Sequence, residues 1–278
     1  MSRIFLINPL NSLVLFHMYR QISVMFILHF ALSISTVFYA GARAISAEQN
    51  NRFDINDIRR LLTIRIYIDK RPVGSGIILT KTANNYWIAT NRHVVQSNKT
   101  ACIQTSDGLR HGATVFDSIN TRNADIVFLR FNSKSKYPVP EGLLATRRYP
   151  LIPRKIIATG FPIGMDSTDS MYTERRGVTV PLLSTPIQDG LQLTYTSNIE
   201  KGMSGGPVFY ADNQLAGINS LHSDPLWDVD YKDATGKTIS PLLAEALKRV
   251  AIGVPVSVIS NGLAGLPIVT ALPPLGCK

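Results

Sequence analysis

The sequence contains few cysteines: Cys102 and Cys277 are the two in its 278 residues. One intramolecular disulfide is therefore the most that the chain can form, and the sequence alone leaves open whether these two residues meet. The histidines and cysteines do not cluster at the spacing of metal ligands. We accordingly expect no metal site.

Acidic residues are also scarce, since 19 Asp and Glu stand against 29 Lys and Arg, which gives a formal net charge of +10 at pH 7. A basic protein can attract nucleic acid or anionic surfaces. The arginine pairs are scattered along the chain, however, and aromatic residues are not interleaved with them: they are Arg59-Arg60, Arg147-Arg148 and Arg175-Arg176. This pattern favours a solvated basic surface, and we expect no nucleic-acid partner.

The first 47 residues contain neither Asp nor Glu. They hold two apolar runs, Ile4–Phe16 and Ile22–Phe38, and the second run follows Arg20. It is closed by a stretch that ends in Ala42-Arg43-Ala44, and small residues at this spacing are typical of a signal-peptidase site. The segment therefore predicts export to a secreted or periplasmic location.

Two alternatives remain open for this segment. Met18 could be the true start, in which case the signal would comprise about residues 18–44. The second run could also stay uncleaved as a membrane anchor, because about 20 apolar residues suffice to span a bilayer. Removal of residues 1–44 would take away three arginines and leave a formal net charge of about +7.

The stretch Gly202-Met203-Ser204-Gly205-Gly206-Pro207 combines a serine with glycines two before it and two after it. Glycine is a poor choice for a packed core and suits a tight backbone turn. Such a turn presents the Ser204 hydroxyl outward, and it allows the N–H groups of Gly202 and Ser204 to point into one small pocket. This pocket would form an oxyanion hole, which stabilises negative charge on a reacting carbonyl oxygen.

Two further segments supply a candidate base and a candidate acid. His93 follows the aromatic and β-branched stretch Tyr86–Thr90, and Asp125 immediately precedes the apolar run Ile126–Leu129. The order along the chain is His93, Asp125, Ser204, and the two separations are short. This order is that of the chymotrypsin fold and differs from the serine-first order of the α/β-hydrolases.

Together these segments resemble the trypsin-like serine peptidases, and most closely the protease domain of the bacterial HtrA/Deg-type branch. The resemblance extends over about residues 64–220. It implies an all-β fold of two six-stranded-type antiparallel β-barrels with a short C-terminal helix. About 74 residues follow Ser204, which is too few for the rest of a barrel and a peptide-sensing PDZ domain. We therefore expect an HtrA-type domain without PDZ.

Short apolar segments separated by turn residues agree with this fold. We expect the peptidase domain over residues 61–260, with a first barrel at about 61–131 and a second at about 150–260. Residues 45–60 would form a linker or a short propeptide, and residues 261–278 a tail. Within the second barrel, Ser240-Pro241 is typical of a helix start, and Gly253–Ile259 is interpreted as a last strand.

The resemblance also implies a substrate pocket. Asn198 lies six residues before Ser204, at the position that forms the pocket floor in trypsins. Gly217, Ile218 and Asn219, in the strand after the nucleophile, would form a wall. Because Asn198 carries no charge, burial of a substrate Lys or Arg there would lack a counter-ion. We expect uncharged, mainly apolar side chains before the cut.

By resemblance, the mechanism is acyl transfer to water. His93 would accept the Ser204 proton, Asp125 would orient and stabilise the imidazole, and no cofactor would be needed. Protein or peptide substrates are therefore expected. A catalytically silent peptide-binding domain and an esterase with the same triad are the alternatives, and the sequence does not indicate the oligomeric state.

Overall fold

The computed structural model describes residues 55–140, 152–164, 171–223, 230–266 and 276–277. The export signal or anchor predicted in residues 1–44 lies outside the described residues. Within the described ranges, no helix is long and apolar enough to cross a membrane.

The first half of the chain forms a closed six-stranded antiparallel barrel with the strand order β1-β2-β3-β6-β5-β4. Its strands are β1 Thr63–Ile68, β2 Arg71–Thr82, β3 Asn85–Thr90, β4 Thr100–Gln104, β5 Arg110–Phe116 and β6 Val127–Asn132. β2 carries two irregularities of register, one against Ile66 and Tyr67 of β1 and one between Ile78 and Thr80. Such bulges bend strands and increase their twist, which helps a small sheet to close.

The second half forms a six-stranded sheet with the order β8-β7-β10-β11-β12-β9. Its strands are β7 Lys155–Gly160, β8 Thr173–Val178, β9 Leu193–Tyr195, β10 Pro207–Tyr210, β11 Leu215–Leu221 and β12 Ala251–Pro255. The two outer strands approach each other through an isolated bridge between Thr179 and Tyr195. The all-β fold class expected from the sequence is confirmed, with a closed first barrel and a second sheet that curls toward closure.

Four helices accompany the strands in the described ranges: α1 Ile55–Leu62, α2 Arg92–Val95, α3 Pro241–Lys248 and α4 Val256–Ala264. The Ser240 hydroxyl caps α3 by accepting a hydrogen bond from the Leu243 N–H at 3.4 Å. Part of the expected linker, from residue 55 onward, is helical. The last strand ends at Pro255, so its predicted extension to Ile259 is wrong. Residues 256–264 instead form α4, which packs so closely that a Cβ on Gly262 would lie 2.6 Å from the Phe128 ring.

A disulfide joins Cys102 in β4 to Cys277 near the end of the chain. The two cysteines are 175 positions apart, and their Cα atoms lie 5.1 Å from each other. A covalent link across so long a loop restricts the unfolded chain and stabilises a fold by about 2–4 kcal/mol. The question that the sequence left open is thereby answered.

A polar cluster lies in the first barrel, apart from the residues singled out as catalytic. The His111 Nε2 atom is 2.9 Å from the Tyr137 hydroxyl, which donates a hydrogen bond to Asp107 at 3.0 Å. Burial lowers the pKa of His111 below its ordinary value of about 6.5, and the negative charge of Asp107 partly offsets this effect. Neutral His111 is thus the form that the folded protein favours.

We expect this cluster to make the domain less stable in mild acid. The unfolded chain takes up a proton at His111 as the pH falls through about 6.5, whereas the folded chain resists it. Stability from this group is therefore fully present above pH 6.5 and is lost as the pH falls through the lower, folded-state pKa. Urea unfolding at pH 8 and pH 5.5 measures the free energy of unfolding at both pH values. The loss between pH 8 and pH 5.5 should be smaller for His111→Gln than for the wild type. An equal loss in both proteins would show that His111 does not cause the sensitivity to acid.

Candidate active site

His93 and Asp125 are brought together by the connections that follow β3 and precede β6. These strands pair in register from Asn85 opposite Asn132 to Thr90 opposite Val127. The Asn91 side-chain amide then donates to the Asp125 carbonyl oxygen at 2.8 Å, and the His93 N–H donates to Asp125 Oδ1 at 3.1 Å. Sheet pairing and these two hydrogen bonds hold both segments at one end of the barrel.

The side chains of His93 and Asp125 also meet, with 2.8 Å between His93 Nδ1 and Asp125 Oδ2. The carboxylate is largely buried, at 13% exposure, whereas the imidazole is 47% exposed. A carboxylate partner makes Nδ1 the protonated ring nitrogen, so Nε2 carries the free lone pair. This is the arrangement that a general base requires.

Ser220, at the end of β11, is a second partner of the carboxylate. Its hydroxyl donates to Asp125 Oδ2 at 2.5 Å, and its carbonyl oxygen accepts a hydrogen bond from Ser204 Oγ at 3.2 Å. Ser220 was not among the site residues predicted from the sequence. One signal in the sequence could have indicated Ser220: it is the last small polar residue of the strand that follows the nucleophile turn.

Ser204 lies in the same cleft as His93, Asp125 and Ser220, and this cleft has a volume of about 1090 Å³. Among the described residues, the Ser204 hydroxyl bonds to the Ser220 carbonyl oxygen and not to His93. Hydrogen bonds between nucleophile and base are often long or poorly aligned in substrate-free enzymes and tighten when substrate binds. The structure thus brings the three predicted residues to one cleft, with the His93–Asp125 contact formed.

The turn that carries Ser204 requires glycine at two positions. Gly202 and Gly205 have φ angles of +94° and +81°, in the left-handed region that side chains rarely adopt. A Cβ on Gly205 would lie 2.2 Å from both the Ser75 carbonyl oxygen and Thr90 Oγ1. A Cβ on Gly202 would lie 2.5 Å from the Phe161 carbonyl oxygen.

The peptide groups of this turn have a defined orientation. The Lys201 carbonyl oxygen accepts from the Ile163 N–H at 2.8 Å, and the Met203 carbonyl oxygen accepts from the Gly206 N–H at 3.0 Å. In a trans peptide the N–H points opposite to the C=O, so the N–H groups of Gly202 and Ser204 point away from these partners. Within the described ranges, neither N–H donates to a protein acceptor. Both are available to a ligand.

The four residues predicted to form the substrate pocket do not line this cleft. Asn198 is exposed and does not line the cleft, while Gly217, Ile218 and Asn219 lie in β11 between β10 and β12. Asn219 is fully buried, and its amide donates to the carbonyl oxygens of Thr159 and Met203 at 2.9 and 3.1 Å. It stabilises the nucleophile turn from within. The predicted wall, Gly217–Asn219, thus ends one residue before the part of the strand that lines the cleft.

The next three residues along the chain, Ser220, Leu221 and His222, line the cleft instead. Asp189 lines it as well, from the connection between β8 and β9, and its carbonyl oxygen accepts from the Asp125 N–H at 2.8 Å. Burial raises the pKa of the Asp189 carboxyl above its ordinary value, and the charge of Asp125 adds to the increase. The expectation of an uncharged side chain before the cut stays a prediction, without Asn198 to support it.

The chain belongs to the trypsin-like peptidase family, since the model of the trypsin-like peptidase domain matches residues 74–218. Serine protease HTRA1 of Xenopus laevis is 30% identical over 159 residues, which cover 53% of this chain and 31% of that protein. A probable periplasmic serine endoprotease, DegP-like, of Rickettsia conorii is 25% identical over 205 residues, covering 70% of this chain and 39% of that protein. The chain thus spans about a third of the length of these relatives.

The structure resembles the crystal structure of the MamO protease domain from Magnetospirillum magneticum, with a TM-score of 0.52 and 21% sequence identity. The match covers 74% of this chain and 97% of that chain. At this level of identity, the likeness supports the fold alone.

Proposed function

We propose that this chain is an exported serine endopeptidase that hydrolyses peptide bonds through His93, Asp125 and Ser204. The observation that carries the proposal is the 2.8 Å contact between His93 Nδ1 and a largely buried Asp125, in the cleft that also presents Ser204. Family membership adds to it, because the curated relatives named above are serine proteases.

In the proposed reaction, Ser204 Oγ attacks the carbonyl carbon of the scissile bond and His93 Nε2 takes its proton. The N–H groups of Gly202 and Ser204 stabilise the oxyanion that forms, and each such donor lowers the barrier by about 3 kcal/mol. His93 then gives the proton to the leaving amine as the C–N bond breaks, which leaves an acyl-enzyme. A water molecule attacks this ester, His93 accepts the water proton, and the proton returns to Ser204 as the acid product leaves.

Asp125 does not exchange a proton in this scheme. Its carboxylate holds the imidazole in the tautomer with a free Nε2 and stabilises the cation formed during attack. The hydrogen bond from Ser220 to Oδ2 and that from the His93 N–H to Oδ1 fix both carboxylate oxygens. These groups are therefore set before substrate arrives, which reduces the reorganisation that the reaction needs.

Labelling with a fluorophosphonate probe tests the proposal directly. The probe attaches covalently to an activated serine, so we expect labelling of the wild type and none of Ser204→Ala. Cleavage of peptides and not only of simple esters would separate a peptidase from an esterase. A folded wild type that resists the probe would instead support a catalytically silent peptide-binding domain.

Export is the second part of the proposal. It rests on the acid-free segment of residues 1–47 and on the periplasmic location that the Rickettsia relative carries in its name. We expect a fusion of residues 1–50 to a reporter to leave the cytoplasm, because an apolar run behind Arg20 is what export machinery recognises. Cell fractionation measures this. Retention of the reporter in the cytoplasm would refute the signal, and a membrane-bound product would identify the anchor.

A further inference from the structure

Five side chains that are charged at neutral pH line the cleft: Arg92, Arg122, Asp125, Asp189 and Lys201. Some of them pair with another side chain and others do not. Arg92 pairs with Asp117, and Asp125 with His93. Arg122 and Lys201 are exposed, and neither has a hydrogen bond or ion pair to another side chain in the described ranges.

These two cations lie on the two walls of the cleft. Arg122 follows the 3₁₀ turn Ile119–Thr121 in the first barrel, three residues before Asp125. Lys201 directly precedes Gly202 in the second half. The neighbouring Glu200 does not neutralise Lys201, because its carboxylate accepts from Arg175 Nε at 3.2 Å.

Asp189 is the one carboxylate of the cleft lining without a hydrogen-bonding partner among the described residues. Burial and then the charges of Asp125, Arg92 and His93 shift the pKa of Asp189, and Arg122 and Lys201 are not among the groups that do so. The charges of Arg122 and Lys201 are thus available to a bound chain. Two of the three charged lining side chains that lack a partner in the described ranges are cationic and one is a carboxylate, and such an excess of positive charge in a cleft concentrates ligands of the opposite sign.

We propose that the cleft selects peptides with acidic side chains beside the scissile bond, and that Arg122 and Lys201 bind them. This inference rests on the proposed function. It concerns the positions that flank the cut and not the residue directly before it. The strength of each contact is limited by its exposure to water, so each cation should contribute about a two- to five-fold preference.

The experiment begins with a neutral peptide that the wild type cleaves. Glu and Gln are then compared in turn at five positions of this peptide: the second and third residues before the cut and the first three residues after it. The residue directly before the cut is kept unchanged. At one or more positions, kcat/KM should be about 5- to 20-fold higher for Glu than for Gln. This ratio should fall when the salt concentration rises from about 50 to 500 mM, because salt screens exposed charges.

Variants then assign the preference to residues. Arg122→Gln and Lys201→Gln should each lower the Glu/Gln ratio about two- to five-fold. Lys155→Gln is the matched control, because Lys155 is exposed at the start of β7 and does not line the cleft; it should leave the ratio unchanged. Cleavage without a preference for Glu at any position overturns this inference alone. Failure to cleave any peptide overturns the proposed function as well.

A separate observation concerns Arg92, the residue before His93. Its guanidinium donates to three carbonyl oxygens around Asp125: Nε to Ala124 at 3.3 Å, and Nη2 to Thr121 and Ile126 at 3.4 and 3.2 Å. Nη1 donates to Asp117 at 2.5 Å. One side chain thus ties the base-bearing helix α2 to the segment that carries the acid.

The geometry points to Arg92 as a positioning residue that sets the distance between His93 and Asp125. A guanidinium presents several donors in one rigid plane, and an ammonium group cannot reproduce this pattern. Displacement of a catalytic group by about 1 Å costs on the order of 100-fold in rate. We therefore expect Arg92→Ala to lower kcat about 10- to 100-fold and to change KM less than threefold.

Two further measurements separate positioning from a general loss of structure. Arg92→Lys should recover only part of the kcat that Arg92→Ala loses. Asp117→Asn should have a kcat close to that of the wild type, because Arg92 keeps its three contacts with carbonyl oxygens in this variant. Circular dichroism and urea unfolding report the folded fraction, by which each kcat is corrected. An unchanged corrected kcat in Arg92→Ala, or a fall confined to KM, would overturn the assignment.

Discussion

Replacement of Ser204 with alanine is expected to lower peptide hydrolysis by at least about 10⁴-fold, because the proposed mechanism has no other nucleophile. The same change should alter the free energy of unfolding by less than about 1 kcal/mol. The Ser204 hydroxyl faces the cleft, and the one hydrogen bond that it makes among the described residues is the 3.2 Å contact with the Ser220 carbonyl oxygen. Casein hydrolysis and urea unfolding measure the two quantities.

Ser184→Ala is a suitable control for this prediction. Ser184 is an exposed serine that lies outside the cleft lining. Its removal should leave casein hydrolysis unchanged. Equal activity of the wild type and Ser204→Ala would show that another residue, or a contaminant, performs the cleavage.

The second large effect should come from His93→Ala, which should reduce kcat about as much as Ser204→Ala. The double variant should then be hardly slower than either single variant. When two residues act as one unit, removal of either already abolishes the contribution that they make together. The 2.8 Å contact of His93 Nδ1 with Asp125 makes the imidazole part of such a unit. Single-turnover rates on one fluorogenic peptide measure all three variants under the same conditions.

This second prediction would be contradicted if the fold loss of kcat in the double variant equalled the product of the two single losses. His93 and Ser204 would then act independently. His111→Ala is a useful comparison, because His111 lies in the first barrel and does not line the cleft. This variant should retain the wild-type kcat at pH 8. A loss of kcat equal to that of His93→Ala would indicate that histidine removal destabilises the domain in general.

His93, Asp125 and Ser204 could be proposed from the sequence because the signals that mark them are local. His93 and Asp125 each adjoin a strand with a clear β-branched and aromatic pattern, and Ser204 lies in a glycine-rich turn. The pairing of β3 with β6 then brings the segments of the first two to one end of the barrel. Residues placed by strand ends are accordingly those that sequence patterns can indicate, and their catalytic role stays a prediction.

The predicted pocket wall does not line the cleft, because the point at which a strand meets a cleft depends on tertiary packing. Between Ser204 and this wall, the register of β10 and β11 shifts, so that Val208 pairs with Gly217 but Phe209 pairs with Leu215. The strand reaches the cleft at Ser220, the residue that directly follows the predicted wall. The carboxylate partner Ser220 was missed for the same reason.

Helix α4 shows how packing overrides local preference. Residues 256–259 read Val-Ser-Val-Ile, a β-branched pattern that favours a strand. In the structure they begin a helix that closes over the first barrel, where Ile259 is fully buried and Gly262 contacts Phe128. Nothing in the local sequence specifies that contact, so the strand prediction was reasonable and wrong.

The disulfide between Cys102 and Cys277 has a consequence for proteolysis. It connects the first barrel to the end of the chain, beyond the second sheet, while residues 133–154 connect the two halves along the backbone. A single cut of the backbone within residues 133–154 would therefore leave both fragments covalently attached. Such a nicked molecule would migrate as one species on a non-reducing gel and would separate into two only after thiol reduction.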